Sequence, residues 1–401
     1  MKNANPFSAL KDKIFFRLYL SQTISLLGDA FTWVGIALLA FQFGGEHSAA
    51  ILSTALTLRV TAFIIFGPYA GVIADRIDRK KIMYITHFVR MAIVGCLPFV
   101  TAAWQIYLLI FFLNIFNAFF TPAYQAAIPQ AITNKDTYSS GIALSNATNQ
   151  LLGVLGPGLA GAIAAWLGAR QIFFVDAASF IIAAVFIISL PSLLVAKKEK
   201  QNIIQTKVWT DILKGTNLLF TNKAIRFSLL IEFVSAIAGA QILVNTVSYV
   251  KGQLHLTDNH YGYVMAAFGI GAAIAAFASG NLDKSKNRIA SLLLGGGLIC
   301  VSIALGNYVA FIPLLILWLI AGFAQTLAEM PSQILIAEKI QMTEHGKVYG
   351  AHFAWSHLWW AVAYPIAGFT GIHFQNKEFL IGAGISLILF ILIILFFYPK
   401  K

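Results

Sequence analysis

The chain is a succession of apolar runs of roughly 20 residues, each long enough to cross a hydrocarbon core about 30 Å thick as a helix. Gly, Pro and clusters of charge divide it into about twelve such segments between residues 15 and 398. The runs are continuous and lack the period-two alternation of a membrane β-barrel, so helices are expected throughout. Charged residues make up 11% of the chain and hydrophobic ones 59%. Soluble domains carry about 25% charge, so a water-soluble globular fold is excluded.

The net charge of +12 would raise nucleic acid as a partner for a soluble protein. Here it reports orientation. With the N-terminus in the cytoplasm, only Arg170, Lys251 and Lys377 fall in outer loops, and only Arg59 and Arg90 fall inside spans. All other Lys and Arg residues lie on the inner side, as the positive-inside rule requires. An even number of spans with both termini cytoplasmic follows. The first run, preceded by Lys11, Lys13 and Arg17, is too long for a signal-peptide core and reads as a retained helix. Cys96 and Cys300 lie inside apolar runs and form no C-x-x-C pair.

The longest connection, 191–224, carries an amphipathic stretch. Trp209, Ile212, Leu213, Thr216 and Phe220 fall on one side, and Lys207, Asp211 and Lys214 elsewhere. It is expected to lie as a linker helix on the inner membrane surface. Six spans precede it and six follow, and one constant offset aligns Pro122 with Pro331 and Gly141 with Gly350. The expected fold is therefore an all-α membrane protein of twelve helices in two pseudo-symmetric six-helix bundles, 1–190 and 225–401, joined by the linker. Duplicated halves with a substrate site between them are a transporter construction.

Charge at bilayer depth costs about 2.5–3.5 kcal/mol or more per residue, so buried charges are functional candidates. Gln22, Ser25, Asp29 and Thr32 form one polar stripe on span 1. Asp29 is expected to handle substrate or protons, with Arg59 of span 2 as its natural partner; Arg90 of span 3 also needs an anion. Glu329 in span 10, flanked by Gln325 and Gln333, is the second-half counterpart. Asp176 and Glu232 are expected to be satisfied interfacial or interhelical carboxylates. Asn114, Asn117, Asn146, Asn149, Gln241, Asn245, Gln325 and Trp355 are candidates to line a cavity, although hydrogen bonds between helices would also account for the amides. His352 and His357 of span 11 suggest a proton relay or a metal site. Five residues apart, they cannot both face one ion, and no metal ligand set is assigned.

The run from Gly67 to Lys81 holds the most specific pattern. Gly71, Asp75, Arg76, Arg79 and Lys80 match G-x-x-x-D-R-x-G-R-K, with Asp78 where the pattern has Gly. Gly67 and Gly71, at i and i+4, are expected to let two helices approach closely. The run resembles motif A of the major facilitator superfamily. Gly156, Pro157 and Gly161 resemble the core of that family's antiporter motif, and Gln22, Ser25, Gly28 and Asp29 resemble a pattern in its branch of enterobactin exporters, macrolide efflux pumps and nickel-resistance permeases. The resemblance implies a twelve-helix fold and a proton-coupled exporter, without choosing among drugs, siderophore-like molecules and divalent metals. An importer of the same fold, or a receptor or channel without coupled transport, remains a different reading.

No Walker A, H-E-x-x-H or G-x-S-x-G pattern is present, and the loops are too short for a catalytic domain. The expectation is a non-enzyme without cofactors, working as a monomer in the lipid bilayer with a small molecule and protons as partners and no nucleic acid.

Overall fold

A computed structural model describes the chain except for residues 1–5, 75–76, 133–140, 142–143, 146–147, 150, 153–155, 157–158, 162, 165, 192–205, 283–287, 342–343 and 400–401. The described residues are helical nearly throughout. Helices α1 (Lys13–Gly44), α2 (Ser48–Ala74), α3 (Arg79–Cys96) and α4 (Ala103–Ala131) match the first four expected spans. Described residues between 141 and 167 are mostly helical too, at the fifth. Then come α5 (Ile172–Ile188), the linker helix α6 (Thr206–Thr221), and α7 (Lys223–Ser248), α8 (Asp258–Leu282), α9 (Arg288–Ala304), α10 (Phe311–Lys339), α11 (His345–His373) and α12 (Glu378–Phe397). Seven helical stretches of described residues are long and apolar enough to cross a membrane.

Contacts divide the chain into two compact units: Met1–Leu39 with Leu58–Lys197, and Ala40–Thr57 with Lys198–Lys401. The hairpin tip joining α1 to α2 thus belongs to the second unit, as does the linker helix.

Within the first unit, α3 packs mainly on α5 and α4. Phe15, Leu18, Met83, Phe120, Tyr124 and Ile187 close a core around the ends of α1, α3, α4 and α5. Asp78 caps α3, its carboxylate accepting from the Lys80 amide at 2.9 Å. With φ of −55° this turn needs no glycine, which accounts for an aspartate in the usual Gly position.

In the second unit, α10 packs on α8 and α9, and α11 on α7. Gly271 and Gly322 make the α8–α10 crossing possible. A Cβ on Gly271 would run into the carbonyl of Leu319, and one on Gly322 into that of Phe268. Close backbone approach of this kind substitutes in a membrane for the hydrophobic drive that lipid removes.

The linker helix is seated on helices of the second unit. Its apolar side meets α11: Trp355 Nε1 donates to Thr216 Oγ1 at 3.2 Å and stacks edge-on against Phe220. Gly215 sits against the Lys347 backbone, where a Cβ would collide. Lys214 pairs with Glu344 at 3.0 Å, and Lys347 with Glu344 at 3.2 Å and Asp211 at 3.6 Å. Leu213 of the same face is 65% exposed, so the protein covers this face only in part.

Candidate functional site

Two buried polar clusters stand out, one in each unit. In the first, α1 brings Asp29 and Thr32, α3 brings Arg90, and α5 brings Asp176 and Ser179. Arg90 is 1% exposed and donates one nitrogen to both Asp29 oxygens, at 2.9 and 3.1 Å. Its guanidinium lies over the rings of Phe180 at 4.1 Å and Phe120 at 5.5 Å. Asp176 is fully buried and accepts from Thr32 Oγ1 and, at 3.0 Å, from Ser179 Oγ. Asp29 and Arg90 both act electrostatically on Asp176. Gly28 permits this assembly, because any Cβ there would strike Ser179 and Asp176. Gly156 of the antiporter-like motif seats its segment on α1 beside Asp29: a Cβ would stand 2.6 Å from that of Ala30.

The expected Asp29–Arg59 pair is therefore corrected. Asp29 is taken by Arg90, and Arg59 stacks instead on Trp33, 4.5 Å from the ring centroid. Trp33 is one turn beyond Asp29 on α1, so the ring occupies the place beside Arg59 that the carboxylate was expected to fill.

His87 is a member that the sequence reading missed. It is fully buried one turn before Arg90, its ring 4.7 Å from that of Phe120 and its Nε2 3.4 Å from Ser21 Oγ. Ser25 is buried on the same α1 stripe, and the side-chain oxygen of Gln22 is buried without a partner.

The second cluster joins α7, α10 and α11. His352 Nε2 lies 2.9 Å from Glu232 Oε1, and His352 Nδ1 lies 3.3 Å from Gln333. Glu329 accepts from Ser235 Oγ and Gln325 Nε2, each at 3.1 Å. The second oxygen of Glu232 is buried and unpartnered. His357 is not brought in; its Nδ1 is 2.9 Å from the Phe353 carbonyl on its own helix. Among the described residues, no group of three His, Cys, Asp or Glu side chains is arranged to hold a metal ion.

Several cavity candidates do structural work instead. Gln241 and Asn245 are fully buried. Gln241 Oε1 accepts from Asn245 Nδ2 and Thr370 Oγ1, each at 2.8 Å, and Asn245 also donates to the Ala367 carbonyl. They clamp α7 to α11, and Gly371 and Gly382 leave room for their side chains. Asn114 donates to Ile110 on its own helix and accepts from Asn117. Trp355 faces the linker helix. Asn149 is helical and exposed; Asn146 and Pro157 lie outside the described residues, and Gly161 is buried.

Motif A is described in part, since Asp75 and Arg76 lie outside the described residues. Arg79 donates to the Ala126 carbonyl at 2.8 Å and the Ala74 carbonyl at 3.4 Å, and Lys80 donates to that of Leu190. These basic groups meet carbonyls at or near the C-terminal ends of α2, α4 and α5, where a cation complements the helix dipole. Close approach at Gly67 and Gly71 is not seen: among the described residues, a Cβ on either meets nothing within 4 Å.

Comparison with known proteins identifies the family and the fold. The sequence profile of the Major Facilitator Superfamily matches residues 18–247 and 229–401. A Bacillus subtilis protein named uncharacterized MFS-type transporter YfiS is 28% identical over 356 residues, 83% of this chain and 81% of that one. Macrolide efflux protein A of Streptococcus pyogenes is 25% identical over 303 residues, 73% of this chain and 71% of its own. The crystal structure of the nucleoside transporter NupG superposes with a TM-score of 0.75 over 96% of this chain and 100% of that one, at 15% identity.

Proposed function

The chain belongs to the Major Facilitator Superfamily, and on that premise we propose that it is a proton-coupled exporter of a small amphipathic organic molecule, working by alternating access in a bacterial inner membrane. One observation carries the reading: the guanidinium of Arg90 pairs with Asp29 at 2.9 Å, and the fully buried Asp176 of the same cluster has no cation of its own among the described residues. With both ionised, the cluster holds one negative charge in excess, and uncompensated charge at this depth is costly. A proton on one carboxyl removes the excess. Protonating Asp29 weakens its hold on Arg90 and leaves the guanidinium to Asp176, so that α1 and α3 exchange one tie for another. Charge rearrangement between packed helices is a recognised way to bias two discrete states. In the second unit, Glu232, Glu329 and His352 offer a second group of exchangeable protons.

Outward transport is supported by the likeness to macrolide efflux protein A and by Gly156, which holds the antiporter-like segment against α1 beside Asp29. Cytoplasmic termini are supported by the distribution of Lys and Arg.

The test uses everted membrane vesicles with a fluorescent pH-gradient probe and a panel of cationic, neutral and anionic amphiphiles. At least one compound is expected to dissipate the gradient through the wild-type protein, and Asp29→Asn to abolish that response by tenfold or more, about 1.4 kcal/mol of coupling. Dissipation that survives Asp29→Asn contradicts the coupling role.

A further inference from the structure

Arg59 has no use in the mechanism above. It sits near the middle of α2, and Trp33 sits at a similar distance from the α1–α2 turn on the other helix, so the two share a depth. A guanidinium remains charged at every relevant pH. At bilayer depth such a group is held by an anion or faces a polar space. Arg90 illustrates the first case. Arg59 differs: among the described residues it makes no ion pair and no hydrogen bond, and its guanidinium carbon lies over the ring of Trp33. Asp29 does not serve it: its carboxylate pairs with Arg90, and no ion pair joins it to Arg59 among the described residues.

The geometry narrows what could complete the site. The central carbon of the planar guanidinium lies over the Trp33 ring, 4.5 Å from its centroid. The guanidinium N–H donors lie along the edges of that plane and make no hydrogen bond among the described residues, so they can take a bidentate oxyanion. Arg59 is half-buried, which keeps those edges reachable. The indole beside them offers an aromatic surface to whatever carries the oxyanion.

We propose that Arg59 and Trp33 form a recognition site for an oxyanion attached to an aromatic ring, so that the transported molecule is an aromatic anion. The proposal deepens the transport reading and rests on it. It narrows the cargo from amphipathic molecules in general to those bearing a carboxylate, sulfonate or phenolate next to a ring. Selectivity follows from the contrast with Arg90: one guanidinium is already neutralised by the protein, and the other is left for the cargo.

The experiment is an equilibrium titration of the purified protein in phosphatidylcholine nanodiscs, which contribute no anionic headgroup. The probes are 2-naphthalenesulfonate and its cationic counterpart 2-naphthylmethylammonium, read by tryptophan quenching. Wild-type protein is expected to prefer the sulfonate by about tenfold or more. Arg59→Gln is expected to erase the preference, and Arg59→Lys, which keeps the charge without the fork, to retain part of it. Both variants are first checked for an unchanged thermal midpoint. Equal or tighter binding of the ammonium by wild type, absence of saturable sulfonate binding, or an undiminished preference in Arg59→Gln would each overturn the proposal. Because the titration uses no gradient, it is read independently of the Asp29 coupling test.

Discussion

The two buried clusters differ in the nature of their cation. In the first unit two aspartates surround an arginine; in the second, two glutamates surround a histidine. Arginine keeps its charge, so the first cluster changes its net charge only through its carboxyls. Histidine gives up its proton near neutrality, so the second can change at either end of the Glu232–His352 contact. The first is also tighter, since Arg90 is sandwiched by Phe180 and Phe120 while Asp176 is fully enclosed. A permanent charge clamped by aromatic faces makes a fixed pivot; a titratable pair is a softer one.

The largest expected effect breaks the first cluster. Arg90→Leu leaves the cluster of Asp29 and Asp176 without its cation, and loss of one partner of a buried pair costs about 3–5 kcal/mol. A large drop in the thermal midpoint in detergent is expected, with partial recovery in the Arg90→Leu/Asp29→Asn double variant. In the second cluster, His352→Gln removes a hydrogen-bonded partner that is not permanently charged, with an expected loss of about 1–3 kcal/mol. If the two losses were equal, or in the opposite order, the contrast between fixed and titratable cations would be wrong.

The smallest effect lies where the linker helix docks on α11. Glu344 is held below the usual carboxylate range by hydrogen bonds from Lys214 and Lys347. A carboxyl with a depressed folded value contributes above its unfolded value, about 4.3, and loses that contribution as pH falls through the lower folded one. The hydrogen-exchange protection factor of α6 is therefore expected to be flat from neutrality to about pH 5 and to fall only in stronger acid. Being exposed, this network is expected to add little to overall stability. Loosening of α6 already at mildly acidic pH would show that something other than Glu344 secures it.

Much of this organisation is legible in the sequence, and the limits are physical. Apolar run length and the distribution of Lys and Arg reveal spans because the bilayer imposes a single length and a single sign rule. Asp29, Arg90 and Glu329 are visible because charge is rare at depth. The partner of Asp29 is not visible: helical spacing gives the angle between two residues on one helix, but not which neighbouring helix that angle faces. Gln241 and Asn245 are ambiguous for the same reason, since amides aimed at a cavity and amides that clamp two helices have the same spacing. Asp176 is underrated because nothing in the sequence of α5 says that Thr32 of α1 lies against it. His87 carries a findable signal: it stands one turn from Arg90, on a helix whose other charges cluster at one end.

The central claim is that the first cluster holds one exchangeable proton because it sets two carboxyls against one guanidinium. Infrared difference spectroscopy of the reconstituted protein tests this most directly, through the carbonyl stretch of a protonated carboxyl between about pH 9 and pH 5. The expected result is a titrating carboxylic-acid band in wild type that loses its first-cluster component in Asp29→Asn, where Arg90 and Asp176 balance each other without a proton. A spectrum with no such band, or a band that Asp29→Asn leaves unchanged, would contradict it.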